Sequence, residues 1–233
     1  MMTAPAARRG LIALLVLASV TTAWAGDLTE ILAPLQSARE RGAFGNVAGR
    51  AYTEGQRGGA ESTPSASVSV LLLPRSAEFD ADLDAIKARY RDSPDAFLQA
   101  EPKLGAVRQA FERALIDSGS GYLLLGESSD TAGTFRFASV PEGAWTLLAW
   151  QETPHPQRPK QLKPREALRY KEHPQIFGYT TVVFWRLPVD VKAGEDVAVR
   201  LHDRNQWLTG IREDRQIPDP NQPSAPKSQP TPR

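Results

Sequence analysis

The chain has 233 residues, and its 28 lysines and arginines are nearly balanced by 27 aspartates and glutamates, which gives a net charge of +1. This balance argues against nucleic acid as a partner, because nucleic-acid-binding surfaces carry a clear excess of basic residues. Cysteine is absent from the sequence, which excludes disulfide bonds, thiolate metal sites, cysteine nucleophiles and a lipid-modified cysteine.

Residues 1–25 have the three parts of a secretory signal peptide. Arg8-Arg9 supplies the positive charge, residues 11–20 (LIALLVLASV) form an uncharged apolar run, and the A-x-A sequence that ends at Ala25 is what a signal peptidase recognises. The apolar run is shorter than the ~20 residues that a membrane anchor needs. We therefore predict cleavage after Ala25, no stable membrane anchor afterwards, and a mature protein that is periplasmic or secreted.

The mature chain opens with a segment, residues 26–44, that precedes the first strand. Leu28, Ile31 and Leu35 fall on one side of a helix in this segment. Pro34 interrupts the pattern, because proline removes a helical hydrogen bond. A short helix and a loosely docked segment are the two interpretations that the sequence leaves open.

Alternating apolar and polar residues predict about seven β-strands in the rest of the chain. In chain order these strands cover residues 47–52, 65–73, 122–126, 134–140, 144–150, 180–191 and 196–201. Seven short strands are the number expected of a small sandwich. We therefore predict a mainly β fold, a seven-stranded Greek-key β-sandwich over residues 45–210, followed by a disordered proline-rich tail over residues 211–233.

One block, residues 76–117, interrupts the strands and shows helical spacing instead. Its apolar residues recur every three or four positions, at Phe79, Leu83, Ile86 and Tyr90 and then at Leu104, Val107, Phe111 and Leu115. Pro94 suits the first turn of a helix, and Gly119 suits a helix end. We predict an α-helical insertion between two strands, and docking of a partner protein on this block is one hypothesis for its role.

The segment of residues 130–148 (DTAGTFRFASVPEGAWTLL) has a distinctive order of turns and aromatic residues. Phe135 and Phe137 point to one face of a strand. The turn at residues 140–143 contains a proline and a glycine that allow a tight reversal, and Trp145 then lies beside the two phenylalanines across a hairpin. This pattern resembles the repeating hairpin of the carboxypeptidase regulatory-like domains, which are prealbumin-type (transthyretin-like) β-sandwiches.

The resemblance covers residues 45–75 and 120–204. Within them, residues 47–51 resemble the opening strand of the family and residues 190–201 resemble its closing hairpin. Domains of this family are appended to many different proteins. The resemblance therefore implies a β-sandwich with a binding or accessory role, and it implies no reaction.

The loop of residues 152–179 contains side chains that are suited to binding a ligand. His155, Tyr170 and His173 are of types that ligate metals or donate hydrogen bonds, and the loop between the two histidines is basic. Neither histidine belongs to an H-x-H or H-E-x-x-H spacing. We therefore predict no metal, no cofactor and no catalytic residues, and a small metal-dependent enzyme that uses this loop is the alternative hypothesis.

Tryptophans provide a second kind of candidate. A platform that stacks on a sugar could include Trp150, Trp185 and Trp207. Core packing is the default for most of the tryptophans in predicted strands (Trp145, Trp150 and Trp185), whereas Trp207 follows the last strand and is the best candidate for an exposed ring. The predicted function is an exported, non-catalytic binding or accessory domain whose partner is a protein or a carbohydrate. The candidate ligand-binding residues are His155, Tyr170, His173 and Trp207.

Overall fold

The computed structural model of the protein describes residues 24–55, 62–90, 94–156 and 175–216. Within these residues there are three α-helices, α1 (Trp24–Glu40), α2 (Ala77–Arg89) and α3 (Pro94–Asp117). The same residues form nine strands: β1 (Phe44–Thr53), β2 (Thr63–Pro64), β3 (Ser69–Pro74), β4 (Leu125–Ser128), β5 (Thr134–Pro141), β6 (Gly143–Pro156), β7 (Gln175–Val191), β8 (Asp196–Leu201) and β9 (Leu208–Gln216). The apolar run of the predicted signal peptide lies outside the described residues.

The strands form two sheets that face each other. In the first sheet, β1 pairs antiparallel with β5 and with the short β2, and it pairs parallel with β8. In the second sheet the order is β4-β3-β6-β7-β9, and every pairing is antiparallel. The predicted mainly β sandwich with an α-helical insertion is confirmed.

The described residues contain nine strands rather than the seven predicted. The two additional strands are β2 and β9, and β9 includes residues 211–216, which the sequence analysis assigned to the disordered tail. β9 is held at the edge of the second sheet by backbone pairing to β7. Edge strands tolerate charged residues because one of their sides has no neighbouring strand, so the alternation that marks central strands is absent from β9.

The interior between the two sheets is apolar and closely packed. Val47 and Ala51 of β1 and Trp145 and Leu147 of β6 are fully buried there. The ring of Phe135 lies directly over Gly49, where an added Cβ would come within 2.0 Å of the ring. A glycine is therefore needed at this point of β1, because any side chain would displace a buried aromatic ring.

Helices α2 and α3 cover the outer face of the second sheet, so the molecule has three layers. On β6, Thr146 and Leu148 alternate with the residues that face the first sheet, and both are buried. Ser76 caps α2 by accepting a hydrogen bond from the backbone N–H of Phe79. The rings of Phe79 and Phe111 stack at 4.5 Å and join α2 to α3. The predicted insertion is thus a structural layer of the domain.

Helix α1 resolves the two interpretations of the N-terminal segment in favour of a helix. It runs through Pro34, and it buries Leu28, Leu32 and Leu35. Leu35 packs against Gly143 at the start of β6, where an added Cβ would lie 2.3 Å from the leucine side chain. Burial of this apolar stripe stabilises the helix by more than the ~3 kcal/mol that an interior proline costs.

The sheet topology shows that the two hairpins predicted from the sequence are wrong, because the strands of each pair belong to different sheets. The turn after Pro141 joins β5 of the first sheet to β6 of the second, and residues 192–195 join β7 of the second sheet to β8 of the first. Trp145 therefore faces the phenylalanines from the opposite sheet, and it does not lie beside them. A Pro-x-Gly reversal and period-two alternation suit both kinds of connection, and only strand pairing distinguishes them.

None of the helices in the described part of the chain is both long enough and apolar enough to cross a membrane.

Candidate functional site

A cavity of about 170 Å³ opens between helix α3 and the outer face of the second sheet. Its lining includes three half-buried aromatic residues, Trp150, Phe184 and Trp207, and the buried Trp185. Trp150 of β6 and Phe184 of β7 are direct partners in the strand register, so their side chains project from the same face. The backbone N–H of Trp207 donates to the carbonyl of Phe184 at 2.8 Å, which holds the third ring beside the other two.

Helix α3 leaves room for this cavity because Gly105 lies on the side that faces the sheet. No atom lies within 4 Å of the position that a Cβ would occupy at Gly105, and Gly105 and Leu104 both line the cavity. The sequence therefore places a residue without a side chain opposite the aromatic wall, in a helix where glycine costs about 1 kcal/mol relative to alanine.

Charged side chains surround the aromatic wall. Arg212 of β9 donates to Glu101 of α3 and to Glu152 of β6, each at 2.6 Å, and the two carboxylates line the cavity. The hydrogen bond with Glu152 raises the pKa of Arg212. Arg108 of α3 lies 5.0 Å from the centroid of the Trp150 ring. Hydrogen-bond donors and acceptors are thus both present at the margin of an apolar surface.

A second ionic group ties α2 to the same face of the sheet. Arg186 donates to both carboxylate oxygens of Asp84, at 2.8 and 2.7 Å, and to the backbone carbonyl of Asp80 at 2.8 Å. Its guanidinium group also lies 5.0 Å from the centroid of Trp207. Burial raises the pKa of Asp80, because the cost of desolvation exceeds the attraction of Arg186. This group positions Trp207 relative to α2.

Two of the four predicted ligand-binding residues, Trp207 and His155, lie within the described part of the chain, and they belong to different regions of the second sheet. Trp207 lines the cavity and is half-buried rather than freely exposed. His155 pairs with Tyr179 across β6 and β7, and the two rings stack at 4.6 Å. Tyr179 is five residues from Phe184 along β7, which corresponds to about 16 Å. Tyr170 and His173 lie outside the described residues.

The other tryptophans divide between the core and the cavity. Trp145 and Trp185 are buried, as predicted from their place in strands. Trp150 was also expected in the core, but it is half-buried and forms part of the cavity wall. Its strand is covered on both faces, so alternation along β6 does not show which face carries a site.

Sequence reasoning missed a second group of polar side chains at one end of the first sheet. Glu54, His202 and Asp203 each place one metal-ligating atom within 4.8 Å of the others. Glu54 is close in sequence to the end of β1, and the other two residues follow β8 directly. A polar residue immediately after each of two strands was the available signal, but only the pairing of those strands brings the residues together.

No protein-family model and no curated protein matches this sequence. Among solved structures, the chain is similar to a candidate carbohydrate-binding protein from Pseudomonas aeruginosa, with 14% identity and a TM-score of 0.37 over 69% of this chain and 88% of that chain. It is also similar to the pilus backbone protein of Streptococcus pneumoniae, with 12% identity and a TM-score of 0.26 over 67% of this chain and 40% of that one. Identities and TM-scores this low carry no argument about function, which rests on the geometry above.

Proposed function

We propose that this protein is an exported, non-catalytic binding or accessory domain of the carboxypeptidase regulatory-like type, and that it binds a carbohydrate residue. The observation that carries the proposal is the cavity whose wall is formed by Trp150, Phe184 and Trp207. Export is supported by the signal-peptide pattern of residues 1–25. The domain type is supported by the order of turns and aromatic residues in residues 130–148.

The chemistry of the cavity suits a sugar better than a fully apolar ligand. A pyranose ring has an apolar C–H surface, which packs on aromatic rings, and a periphery of hydroxyl groups that need hydrogen-bond partners. The aromatic wall provides the first kind of contact. Among the lining residues, Glu101 and Glu152 provide acceptors and Arg108 provides donors, so both requirements of the sugar are met within one site. Arg212 holds the two carboxylates in place from outside the lining.

The size of the cavity limits what can enter it. A cavity of roughly 150 Å³ accommodates a single six-membered ring, and this one has a volume of about 170 Å³. Pockets for larger organic ligands usually begin at about 300 Å³. We therefore expect the site to hold one sugar residue, with any further residues of a glycan outside the cavity.

The proposal is tested by glycan-array screening of the mature chain, residues 26–233, followed by calorimetric titration with the best glycan. Trp207→Ala is expected to weaken binding at least about 5-fold, because stacking contacts of an aromatic ring contribute roughly 1–3 kcal/mol. Tyr122→Ala is the matched control, since Tyr122 is an exposed aromatic residue that does not line the cavity.

Two results would contradict the carbohydrate proposal. One is the absence of glycan binding at millimolar concentrations. The other is equal affinity in wild type and in Trp207→Ala. Sequencing of the N-terminus after expression with its leader tests export separately, and a mature protein that does not begin at Gly26 would contradict the predicted cleavage.

A further inference from the structure

We propose that Glu54, His202 and Asp203 form a binding site for a divalent transition-metal ion of the Zn²⁺ type. The site lies at one end of the first sheet, and none of its residues lines the aromatic cavity. The inference therefore does not depend on carbohydrate binding.

The sheet topology brings the three side chains together. β1 and β8 run parallel, with Ala51 opposite Leu201 at the end of the paired segment. Parallel neighbours place their carboxyl ends at the same edge of a sheet. Glu54 and the His202-Asp203 pair leave that edge from adjacent strands, although Glu54 and His202 are 148 positions apart in the sequence.

The imidazole of His202 is held in place from several sides. Its backbone carbonyl accepts a hydrogen bond from Nε1 of the buried Trp185 at 2.9 Å. Its backbone N–H donates to Oδ1 of Asn205 at 2.9 Å. The ring itself stacks on Tyr52, with 5.6 Å between centroids. A ligand whose orientation is fixed before the metal arrives loses little conformational freedom on binding.

Two potential electron-pair donors, Nδ1 of His202 and Oε1 of Glu54, face each other in this cluster. The backbone N–H of Arg204 donates to Nδ1 of His202 at 3.3 Å, so the single lone pair of Nδ1 is used by this long hydrogen bond. A metal ion that binds at Nδ1 would replace this hydrogen bond. Oε1 of Glu54 lies 3.5 Å from the same Nδ1. Two ligand atoms that are each about 2.1 Å from a tetrahedral metal ion lie about 3.4 Å apart. The observed separation therefore fits a shared cation between them.

The second oxygen of Glu54 is already engaged. Nε of Arg204 lies 2.7 Å from Oε2 of Glu54, which leaves Oε1 facing the histidine. An outer partner that fixes a ligating carboxylate is a usual feature of metal sites. The backbone N–H of Glu54 donates to Oδ1 of Asp203 at 3.1 Å, which keeps the third ligand beside the other two.

The set of donors selects the class of metal ion. One imidazole nitrogen and two carboxylates suit Zn²⁺ and similar transition-metal ions, whereas Ca²⁺ and Mg²⁺ prefer oxygen ligands alone. Three protein ligands leave at least one position for water or for an atom of a partner molecule. Arg204 adds a positive charge next to the site, so we expect moderate rather than very tight affinity.

The test is calorimetric titration of the mature chain, purified without a histidine tag and treated with a chelator, with ZnCl₂. We expect one zinc ion per chain. His202→Asn should weaken binding at least about 100-fold, while the asparagine can still accept the hydrogen bond from Arg204 and cap the short helix of residues 203–205. Circular dichroism shows whether each variant is folded.

Two further variants separate a metal site from an ion-pair network that only stabilises the fold. Glu54→Gln replaces one carboxylate ligand with a neutral amide, so a metal site predicts at least about 10-fold weaker zinc binding, whereas an ion-pair network without a metal site predicts no change in zinc affinity. His155→Asn, near the end of β6 and at a residue of the alternative enzyme hypothesis, should bind zinc like wild type. The proposal is overturned by Kd values above about 100 µM, by unchanged affinity in His202→Asn, or by loss of binding in His155→Asn alone.

Discussion

The two faces of the second sheet differ in the way they are covered. The inner face meets the first sheet through side chains that are almost entirely apolar, and Trp145, Leu147 and Val189 are buried there. The outer face meets helices α2 and α3 through a mixture of aromatic and charged side chains, among them Trp150 and Arg186, and it contains the cavity. The inner face therefore provides stability, while the outer face contains the cavity on which the proposed function rests.

This difference follows from what covers each face. Two sheets pack with their side chains interdigitated along most of their length. A helix pair on a twisted sheet makes contact along narrower lines, so gaps remain where a small residue such as Gly105 faces the strands. The charged groups of the outer face then join the helices to the sheet at the margins of the gap.

The largest effect is expected for Trp145→Ala on the inner face. Trp145 is fully buried, and its Nε1 donates to the carbonyl of Pro141 at 3.0 Å. Its removal should lower the free energy of unfolding by about 4 kcal/mol, measured by urea denaturation. Trp150→Ala on the outer face should cost roughly half as much, because Trp150 is only half-buried. Equal losses would contradict the proposed difference between the faces.

A smaller effect is expected when a methyl group is added at Gly49 of β1, in the interior between the sheets, or at Gly105 of α3, which faces the outer side of the second sheet. Gly49→Ala should destabilise the protein by about 2 kcal/mol, since the new Cβ would collide with the buried ring of Phe135. Gly105→Ala should stabilise it by about 1 kcal/mol, because the position is helical and no atom lies within 4 Å. Thermal unfolding of the two variants provides the comparison. A loss of stability in Gly105→Ala would show that the helix packs more tightly on the sheet there.

The smallest effect concerns pH and Asp80 on the outer face. Burial raises the pKa of Asp80 above its usual value of 3.8. The folded state therefore favours the protonated carboxyl. The contribution of this group to stability is complete below pH 3.8 and is lost as pH rises through the folded pKa. Relative to Asp80→Asn, the wild type should become less stable over that range of pH.

Urea denaturation at a series of pH values measures this difference. Asp82→Asn, on the exposed side of α2, is measured in parallel to account for the loss of a negative charge from the helix. A wild type that gains stability relative to Asp80→Asn as pH rises would show that the attraction of Arg186 exceeds the cost of burial.

Several elements were predictable because their signals are local. The helical insertion was found from the spacing of residues such as Phe79 and Phe111, which are buried together. The burial of Trp145 and Trp185 followed from their place in alternating strands. β9 was not predictable, because its charged sequence is held as a strand by pairing with β7 and shows no apolar pattern of its own.

The candidate sites were less predictable than the fold. Trp207 was identified as a ligand-binding candidate, but its neighbours in the cavity, Trp150 and Glu101, come from other elements. His202 was not selected from the sequence, because its partner Glu54 is remote along the chain. In both sites the residues meet through strand register or helix packing, which a single sequence does not specify.

The sequence by itself determined the absence of disulfide bonds, the alternation of strands, the helical insertion and the turns at residues 140–143 and 192–195, because composition, periodicity and backbone preference act over a few residues. Only the tertiary structure decided that these turns connect two sheets rather than close hairpins, and that β1 and β8 lie parallel. Strand partners are chosen by burial and hydrogen bonding across the whole chain. The aromatic cavity and the Glu54–His202–Asp203 cluster depend on that choice.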